Sequence, residues 1–322
     1  MRGSMRPLPV RAWPPGRACG ARTAWIRWSA LMPDRAIPWR ARLAAAVIAS
    51  SPDWGASAAS KAIGAAARAR LPRRLSQAVV SAYVRYFDVD LQDVDEDSLG
   101  AGYPSFDAFF TRRLREGARP VADEAAVAAP SDGLLRSIDR IERGTTIAAK
   151  GHAYTIGELL ADDAEAERFV GGDATTIYLH PRDYHRVHCP CDAVARRVTT
   201  VPGRLLPVTD AAMAREPMLF ARNERLVHHL ETPHGAMAVV MVAAFGVGHM
   251  SCAYREVLVH PRQIQRVLCE PGIPLKMGDE LGVFHLGSTV VLLTQRGLRP
   301  VVPELPIAVR MGQALFEGSA AT

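Results

Sequence analysis

Eight short apolar runs in the second half of the chain constrain its fold more than any other feature. They are three to nine residues long, rich in β-branched side chains, and separated by segments that contain Gly, Pro and Asp. Runs of this length and composition are typical of strands rather than helices. We therefore predict a β-rich, mostly antiparallel region. The runs are residues 175–179, 193–201, 226–230, 237–245, 256–259, 264–268, 283–285 and 289–294.

A helical pattern precedes these strands, over residues 38–87. Apolar side chains recur there at intervals of three to four residues, and Arg side chains occupy the other face. This pattern fits a helix that packs on a partner helix, and it fits equally a helix that lies on an anionic membrane surface. Helices followed by strands predict an α+β fold, with N-terminal amphipathic helices ahead of the β-rich domain. The apolar positions are Trp39, Leu43, Ala46, Val47, Leu75, Val79, Tyr83 and Tyr86.

Charge is unevenly distributed along the chain. Residues 1–31 hold six Arg and no acidic residue, and we expect them to form a disordered basic extension, with Met32 as an alternative start. Residues 32–87 carry nine basic side chains against two acidic ones, whereas residues 88–322 carry 24 basic against 31 acidic. A body with an acidic excess is unsuited to binding the phosphate backbone of a duplex. We therefore expect no nucleic-acid partner.

Three regions follow from these patterns: the extension of residues 1–31, a helical region of residues 32–100, and a β-rich domain of residues 101–322. The longest uncharged apolar stretch, residues 235–248, has 14 residues. Spanning a bilayer as a helix takes about 18 or more, so no transmembrane helix is expected. The chain has five Cys, an odd number, and is long enough to fold without disulfide bonds. This indicates free thiols in a reducing compartment.

Histidine and cysteine cluster in residues 180–191, HPRDYHRVHCPC. His185, His188, Cys189 and Cys191 could supply four zinc ligands, but paired Cys ligands normally have two or more residues between them, and here only one intervenes. The spacing therefore disfavours a zinc site. Two other interpretations stay open: the imidazoles make ordinary polar contacts in a turn, or one of them is a general base that needs a carboxylate and a nucleophile.

Candidates for both partners lie elsewhere in the chain. Asp132 stands in a Pro-Ser-Asp-Gly turn, a sequence that is also routine in turns without function. Ser288 follows Gly287 and opens an apolar strand, but Val290 stands where a G-x-S-x-G nucleophile elbow would have its second glycine. A Gly-Ser junction also permits the hydroxyl to attack its own preceding peptide carbonyl, and the ester formed can lead to a pyruvoyl group. Such a group would replace pyridoxal in a chain with only three Lys.

Several stretches closely resemble the bacterial phosphatidylserine decarboxylase proenzymes, and in order they cover the chain from about residue 39 to residue 310. One stretch departs from the family pattern: residues 243–250 read AAFGVGHM, where many members have a Gly-Ala-Thr-x-Val-Gly-Ser sequence. The matching stretches are FFTRRLREGARP (109–120), PSDG (130–133), AKGHAY (149–154), YLHPRDYHRVH (178–188), LFARNER (219–225), KMGDELGVF (276–284) and LGST (286–289).

The resemblance implies a specific chemistry. The chain would cleave itself between Gly287 and Ser288, which leaves a small chain of residues 288–322 that begins with a pyruvoyl cofactor made from Ser288. Asp132 and His188 match the family residues that form a self-processing triad with the serine, and His185 matches the histidine associated with decarboxylation. The β-rich domain would then be the catalytic domain, converting phosphatidylserine to phosphatidylethanolamine and carbon dioxide.

The resemblance also bears on partners and location. A lipid substrate favours the membrane interpretation of the N-terminal helices, so we expect a peripheral protein on the cytoplasmic side of the cell membrane, bound to an anionic surface. The two chains from one proenzyme should stay together, and a homodimer is a further assembly to test. Three rival functions stay open: a soluble pyruvoyl-dependent amino-acid decarboxylase, an uncut Ser-His-Asp hydrolase, and a zinc-binding module.

Overall fold

A computed structural model of the chain describes residues 53–123, 125–143, 146–148, 153–206, 208, 218–246, 249–302 and 304–318. The predicted extension and the predicted helix over residues 38–52 lie outside these ranges. All described residues belong to one compact unit, Arg40–Thr322. The predicted boundary at residue 100 therefore stays a prediction.

The helices lie mainly before the strands, and none that the structure describes is long and apolar enough to cross a membrane. The first two are the longest; the second begins after Pro72 and ends at Asp88, whose left-handed backbone (φ 53°) stops it. The helices are α1 (Asp53–Arg68), α2 (Arg73–Phe87), α3 (Glu96–Ala101), α4 (Phe106–Phe110), α5 (Ile156–Leu160), α6 (Asp163–Ala166) and α7 (Leu219–Arg222), with a 3-10 turn at Glu167–Phe169.

Sixteen strands are formed by the described residues, and all the pairings between them are antiparallel. The strands are β1 (Val127–Ala128), β2 (Gly133–Arg140), β3 (Thr146–Ala148), β4 (Ala153–Thr155), β5 (Asp173–Leu179), β6 (Arg186–His188), β7 (Ala193–Val201), β8 (Arg225–Thr232), β9 (Gly235–Ala243), β10 (His249–Cys252), β11 (Gln265–Leu275), β12 (Glu280–His285), β13 (Ser288–Thr294), β14 (Leu298–Pro300), β15 (Ile307–Val309) and β16 (Ala314–Gly318).

The largest sheet has eight strands in the order β11-β7-β8-β9-β13-β5-β2-β15. Its two middle strands are the most apolar: every residue from Ala236 to Ala243 is buried, and so is every residue from Val290 to Leu293. A strand that is covered on both faces has a continuous run of apolar residues. This is why β9 and β13 could be predicted from the sequence. The α+β class with a mostly antiparallel sheet is confirmed.

Two smaller sheets of three strands flank the large one, in the orders β10-β12-β6 and β1-β16-β14, and β3 pairs with β4. The chain passes from the first of these, at the end of β12, into the middle of the large sheet, at the start of β13. Only Leu286 and Gly287 make this crossing, and both have positive φ angles, 83° and 44°. We call these two residues the corner.

One predicted strand is wrong, and nine of the sixteen observed strands were not predicted, of which β2 is the longest. Residues 256–259 lie in an irregular segment between β10 and β11, where Leu258 and Val259 are 58% and 49% exposed, so no sheet buries their side chains. The strand predicted to end at residue 268 continues to Leu275. Strand β2 was not predicted because charged residues interrupt its apolar positions, as expected for a strand with only one buried face.

Candidate active site

The corner and the strand after it define the predicted cleavage position. Ser288 is the first residue of β13 and pairs through its backbone with Leu179 on one side and Ala243 on the other. On the other side of the bond, Leu286 adopts a left-handed backbone that costs a non-glycine residue about 1–2 kcal/mol. Glycine tolerates the same conformation without a side-chain clash. The Gly287–Ser288 bond therefore joins a firmly paired strand to a strained corner.

The side chain of Leu286 holds the corner against the N-terminal helices. Leu286 is 9% exposed and packs in a small apolar cluster with Ala67 of α1 and Phe110 of α4. Tyr83 of α2 and Phe106 of α4 close the same cluster. Two helices that the sequence suggested for membrane contact, α1 and α2, thus pack with α4 around Leu286, next to the predicted cleavage position.

The histidine-rich turn starts where β5 ends, beside the same bond. Leu179 pairs with Ser288, so residues 180–188 leave the large sheet next to the corner and enter β6. Asp183 accepts the backbone N–H of His180 at 2.7 Å through its carboxylate, which closes the turn. Burial raises the pKa of that carboxyl to about 6.

His185 is fully buried in this turn. Its Nδ1 lies 2.8 Å from the carbonyl of Asp183, so the proton sits on Nδ1 and Nε2 is left as an acceptor without a partner in the structure. The ring lies on Phe110, with centroids 4.1 Å apart. The carbonyl of His185 accepts the N–H of Phe284 at 3.0 Å, which ties the turn to β12. Burial lowers the pKa of His185 to about 3, so the imidazole is neutral.

His188 is also a neutral imidazole, held at both nitrogens. Nδ1 donates to the carbonyl of Gly278 at 2.7 Å, and Nε2 lies 3.1 Å from the hydroxyl of Tyr184. Burial lowers the pKa of His188 and raises the pKa of Tyr184 to about 12. The tyrosine therefore stays protonated and donates to Nε2. This is the tautomer that a general base needs, because the proton is on Nδ1 and the lone pair is on Nε2.

Asp132 lies on a turn that is hydrogen-bonded to the backbone of His188, but its carboxylate binds other groups. The N–H of His188 donates to Pro130 at 2.7 Å, which attaches the Asp132 turn to β6. The carboxylate itself accepts from Nε and Nη2 of Arg119 at 2.6–3.1 Å and from the N–H of Met311 at 2.8 Å. The predicted hydrogen bond between Asp132 and His188 is thus not formed in this structure. The two interact through space, since the charge of Asp132 opposes the lowering of the His188 pKa by burial.

Two arginines from the basic run after α4 support this site, and sequence reasoning assigned neither a role. Arg119 bridges Asp132 and Asp93, donating to Asp93 at 2.7 Å. Arg112 is 4% exposed and donates from Nη2 to the carbonyls of Arg182 and Asp183 at 3.0 and 3.4 Å. The Asp183 carbonyl therefore receives both Arg112 and His185. Both arginines belong to a recognisably basic stretch of the sequence. Their roles could not be predicted, because the groups that they bind lie elsewhere along the chain.

The cysteines of the cluster have partners other than a metal. Cys189 Sγ donates to the carbonyl of Cys191 at 3.1 Å, and Cys191 Sγ lies 3.7 Å from Sδ of Met237. Burial raises the pKa of both thiols to about 12, so they are not thiolates. In the described part of the chain, no three His, Cys, Asp or Glu side chains form a group that could hold a metal ion.

Comparisons with known proteins agree on one family. The family model described as phosphatidylserine decarboxylase matches residues 106–317. The phosphatidylserine decarboxylase proenzyme of Acidovorax ebreus (strain TPSY) is 44% identical over 248 residues, which cover 75% of this chain and 87% of that protein. The proenzymes of Yersinia pestis (strain Pestoides F) and Yersinia pseudotuberculosis (serotype O:1b, strain IP 31758) are each 41% identical over 254 residues, covering 76% of this chain and 86% of theirs.

Proposed function

The chain belongs to the phosphatidylserine decarboxylase family, whose members are carboxy-lyases made as proenzymes, and we propose that it cleaves itself at Gly287–Ser288 and then decarboxylates phosphatidylserine. The observation that carries this proposal is the corner. A glycine with positive φ precedes the serine, at the point where the backbone turns sharply between two sheets. The product would be phosphatidylethanolamine, with release of carbon dioxide.

The proposed self-cleavage needs no reactant other than the chain itself and one water molecule. The Ser288 hydroxyl adds to the carbonyl carbon of Gly287, the peptide C–N bond breaks, and an ester replaces the amide. Loss of the Ser288 α-proton and of the Gly287 carboxylate leaves a dehydroalanine, and water then displaces ammonia to leave a pyruvoyl group. The absence of a Cβ at Gly287 fits the close approach that the first step needs.

His188 and Asp132 supply the base for the first step in this proposal. Nε2 of His188 takes the hydroxyl proton, and Nδ1 stays on the Gly278 carbonyl, which fixes the ring. The negative charge of Asp132 favours the imidazolium that results, through space rather than through a hydrogen bond. Arg119 holds the Asp132 carboxylate in place with two hydrogen bonds.

His185 serves the decarboxylation step. The pyruvoyl group supplies an electrophilic carbonyl that condenses with the substrate amine and takes up the electrons left when carbon dioxide departs. His185 lies on the turn beside Ser288, is neutral, and presents Nε2 as its available acceptor. We assign it the task of accepting at Nε2 the proton that the substrate ammonium loses before it condenses, and of delivering it to the carbon that loses carbon dioxide.

The small chain would remain part of the enzyme after cleavage. Residues 288–322 contribute β13, which lies between β9 and β5 in the middle of the large sheet. They also contribute β14, β15 and β16 to two sheets. Because the central strand is buried on both faces and paired along both edges, the large and small chains stay bound to each other.

Exposed apolar side chains on α2 support contact with a membrane. Leu75, Val79 and Tyr86 are 50%, 37% and 49% exposed on the described surface, whereas Tyr83 turns inward and donates to the Pro181 carbonyl at 2.8 Å. The helix therefore presents one apolar face outward and touches the histidine-rich turn with the other. Arg74 and Arg85 are exposed on the same helix and suit anionic head groups. We propose peripheral binding to the cytoplasmic face of the cell membrane.

Two histidine variants test the function directly. His188→Ala should leave a full-length chain, whereas His185→Ala should cleave and yet form phosphatidylethanolamine from phosphatidylserine vesicles at least about 100-fold more slowly. His234→Ala, in the turn between β8 and β9, is the matched control and should do both normally. Normal cleavage by His188→Ala would contradict the base assignment. Decarboxylation of free amino acids but not of vesicles would favour the soluble decarboxylase, and an intact Ser288 would favour the hydrolase.

A further inference from the structure

An assembled carboxylate–imidazole pair lies at the end of β12, outside the residues assigned above. Nδ1 of His285 lies 2.9 and 3.0 Å from the two carboxylate oxygens of Asp107, and its Nε2 lies 3.3 Å from Oγ of Ser251. The ring stacks on His249, its cross-strand neighbour, with centroids 3.7 Å apart and planes 12° apart. His285 is thus fixed at both nitrogens and on one face.

Two of the N-terminal helices hold this pair in place against the sheet. Asp107 lies in α4, and Nη1 of Arg68, the last residue of α1, lies 3.0 Å from Nδ1 of His249. Burial, with the neighbouring His285 and Arg68, lowers the pKa of His249 to about 4, so its Nδ1 accepts from the arginine. Two helices therefore hold the two stacked imidazoles.

The next residue along the chain is the first residue of the corner. Leu286 has φ 83° and is buried against Ala67 of α1 and Phe110 of α4. The same two helices thus hold both His285, by polar contacts, and Leu286, by apolar contacts. On the other side of the corner, Ser288 is fixed by the pairing of β13 with β5 and β9.

We propose that Asp107 and His285 are positioning residues for self-cleavage, because they hold the N-terminal side of the corner in its left-handed conformation. The inference rests on the proposed function. Attack by a hydroxyl on its own preceding carbonyl needs both sides of the bond held, and such reactions lose rate steeply when a reacting atom shifts. The large sheet holds one side, and the Asp107–His285 pair holds the other. In this role neither side chain takes a proton or touches the reacting atoms.

The experiment measures the rate of cleavage after a pulse of synthesis in a cell-free system, by the appearance of the 287-residue and 35-residue chains. Asp107→Ala and His285→Ala should each slow cleavage roughly 10-fold or more, because the corner is free to relax. Asp107→Asn, whose amide oxygen still accepts a hydrogen bond, should recover part of the rate. The double variant should be no slower than the slower single variant, since the two residues act as one unit.

Glu224 and His260 provide a matched control. They form the same kind of pair, with Nδ1 of His260 2.9 and 3.0 Å from the two carboxylate oxygens, but neither residue lies in a helix that packs on Leu286. His260→Ala should cleave at the wild-type rate. Melting of each variant in the uncut Ser288→Ala background separates slow cleavage from poor folding. If Asp107→Ala fails to fold, Asp107→Asn and His285→Gln decide the matter.

Three results would overturn the inference, and they can be told apart. Folded Asp107 and His285 variants that cleave within about twofold of the wild-type rate would overturn it alone, and would leave the proposed function intact. Additive effects in the double variant would also contradict it, because independent effects are what two unrelated structural contacts give. A wild-type chain that stays whole would overturn the proposed function, and this inference with it.

Discussion

The hydroxyl of Tyr184 donates to Nε2 of His188 at 3.1 Å, the atom that the proposed self-cleavage uses as its base. The two rings also stack, with centroids 5.6 Å apart and planes 26° apart. Because burial raises the pKa of Tyr184 to about 12, the tyrosine cannot itself serve as the base near neutral pH. In the proposed self-cleavage, the hydroxyl would therefore compete with Ser288 for the lone pair of His188.

Replacing this tyrosine should not slow cleavage. Tyr184→Phe keeps the ring that packs on His188 and removes only the competing donor, so Nε2 is free for the serine hydroxyl. We expect cleavage at the wild-type rate or faster, measured by pulse labelling and gel electrophoresis. A chain that cleaves ten times more slowly or worse would show that Tyr184 relays the proton, and would contradict the competition described here.

Arg119 binds two carboxylates, and only one of them belongs to the proposed triad. Asp132→Asn and Asp93→Asn each remove one ionic partner of Arg119, whose side chain is 11% exposed. Both should lower stability, since breaking a largely buried ion pair leaves a charge unpaired. Cleavage should slow roughly 10²-fold or more only in Asp132→Asn, because only Asp132 acts on His188. Equal cleavage in the two variants would reduce Asp132 to a structural role.

The outward face of α2 should bind the bilayer. Charged substitutions there, Leu75→Glu together with Val79→Glu, remove exposed apolar area without touching the core. We expect weaker sedimentation with vesicles of anionic lipid and an unchanged extent of self-cleavage. Leu258→Glu is the matched control, because Leu258 is 58% exposed but lies in the segment between β10 and β11. Equal binding by the helix variant and the control would exclude α2 as the contact.

Folding stability should fall as the pH drops below about 6.5. Burial lowers the pKa of His185 and of His228 from 6.5 to about 3, so each takes up a proton on unfolding between these values. Each then contributes stability that is complete above pH 6.5 and is lost at about 1.4 kcal/mol per pH unit as the pH falls. Asp183, whose pKa burial raises to about 6, acts in the opposite direction and offsets part of this loss.

Urea unfolding of the uncut Ser288→Ala chain at pH 7 and pH 5 measures this dependence. His228 lies in β8, where Nδ1 is 2.8 Å from the hydroxyl of Tyr254. His228→Gln should be less stable than its parent at pH 7 and should show a smaller loss between pH 7 and pH 5. An identical loss in the two chains would contradict the neutral buried state of His228.

Much of the fold was predictable because its central strands are buried on both faces. Strands β9 and β13 appear in the sequence as unbroken apolar runs, and the order of runs along the chain gives the antiparallel class. The exposure of residues 256–259 could not be predicted in this way, because their composition is that of a buried strand although they lie on the surface. Composition alone does not say whether a partner strand is available.

The candidate site was predictable only where its residues lie in recognisable stretches. His185, His188 and Ser288 come from such stretches, and the pairing of Leu179 with Ser288 places the start of the histidine-rich turn beside Ser288. Asp107 and His285 are 178 positions apart, and Arg112 is 70 positions from its acceptor at residue 182. Contacts of this range arise from the packing of the helices on the sheets, which no local pattern encodes.

The most direct test of the proposed function is the intact mass of the purified protein under denaturing conditions. The account predicts two species, a chain ending at Gly287 and a fragment of residues 288–322 whose N-terminal serine has become a pyruvoyl group, lighter than the serine form by the difference between serine and pyruvate. Borohydride should add two hydrogens to the fragment and nothing to the large chain. A single chain of 322 residues from protein that is folded and given time to mature would contradict the account.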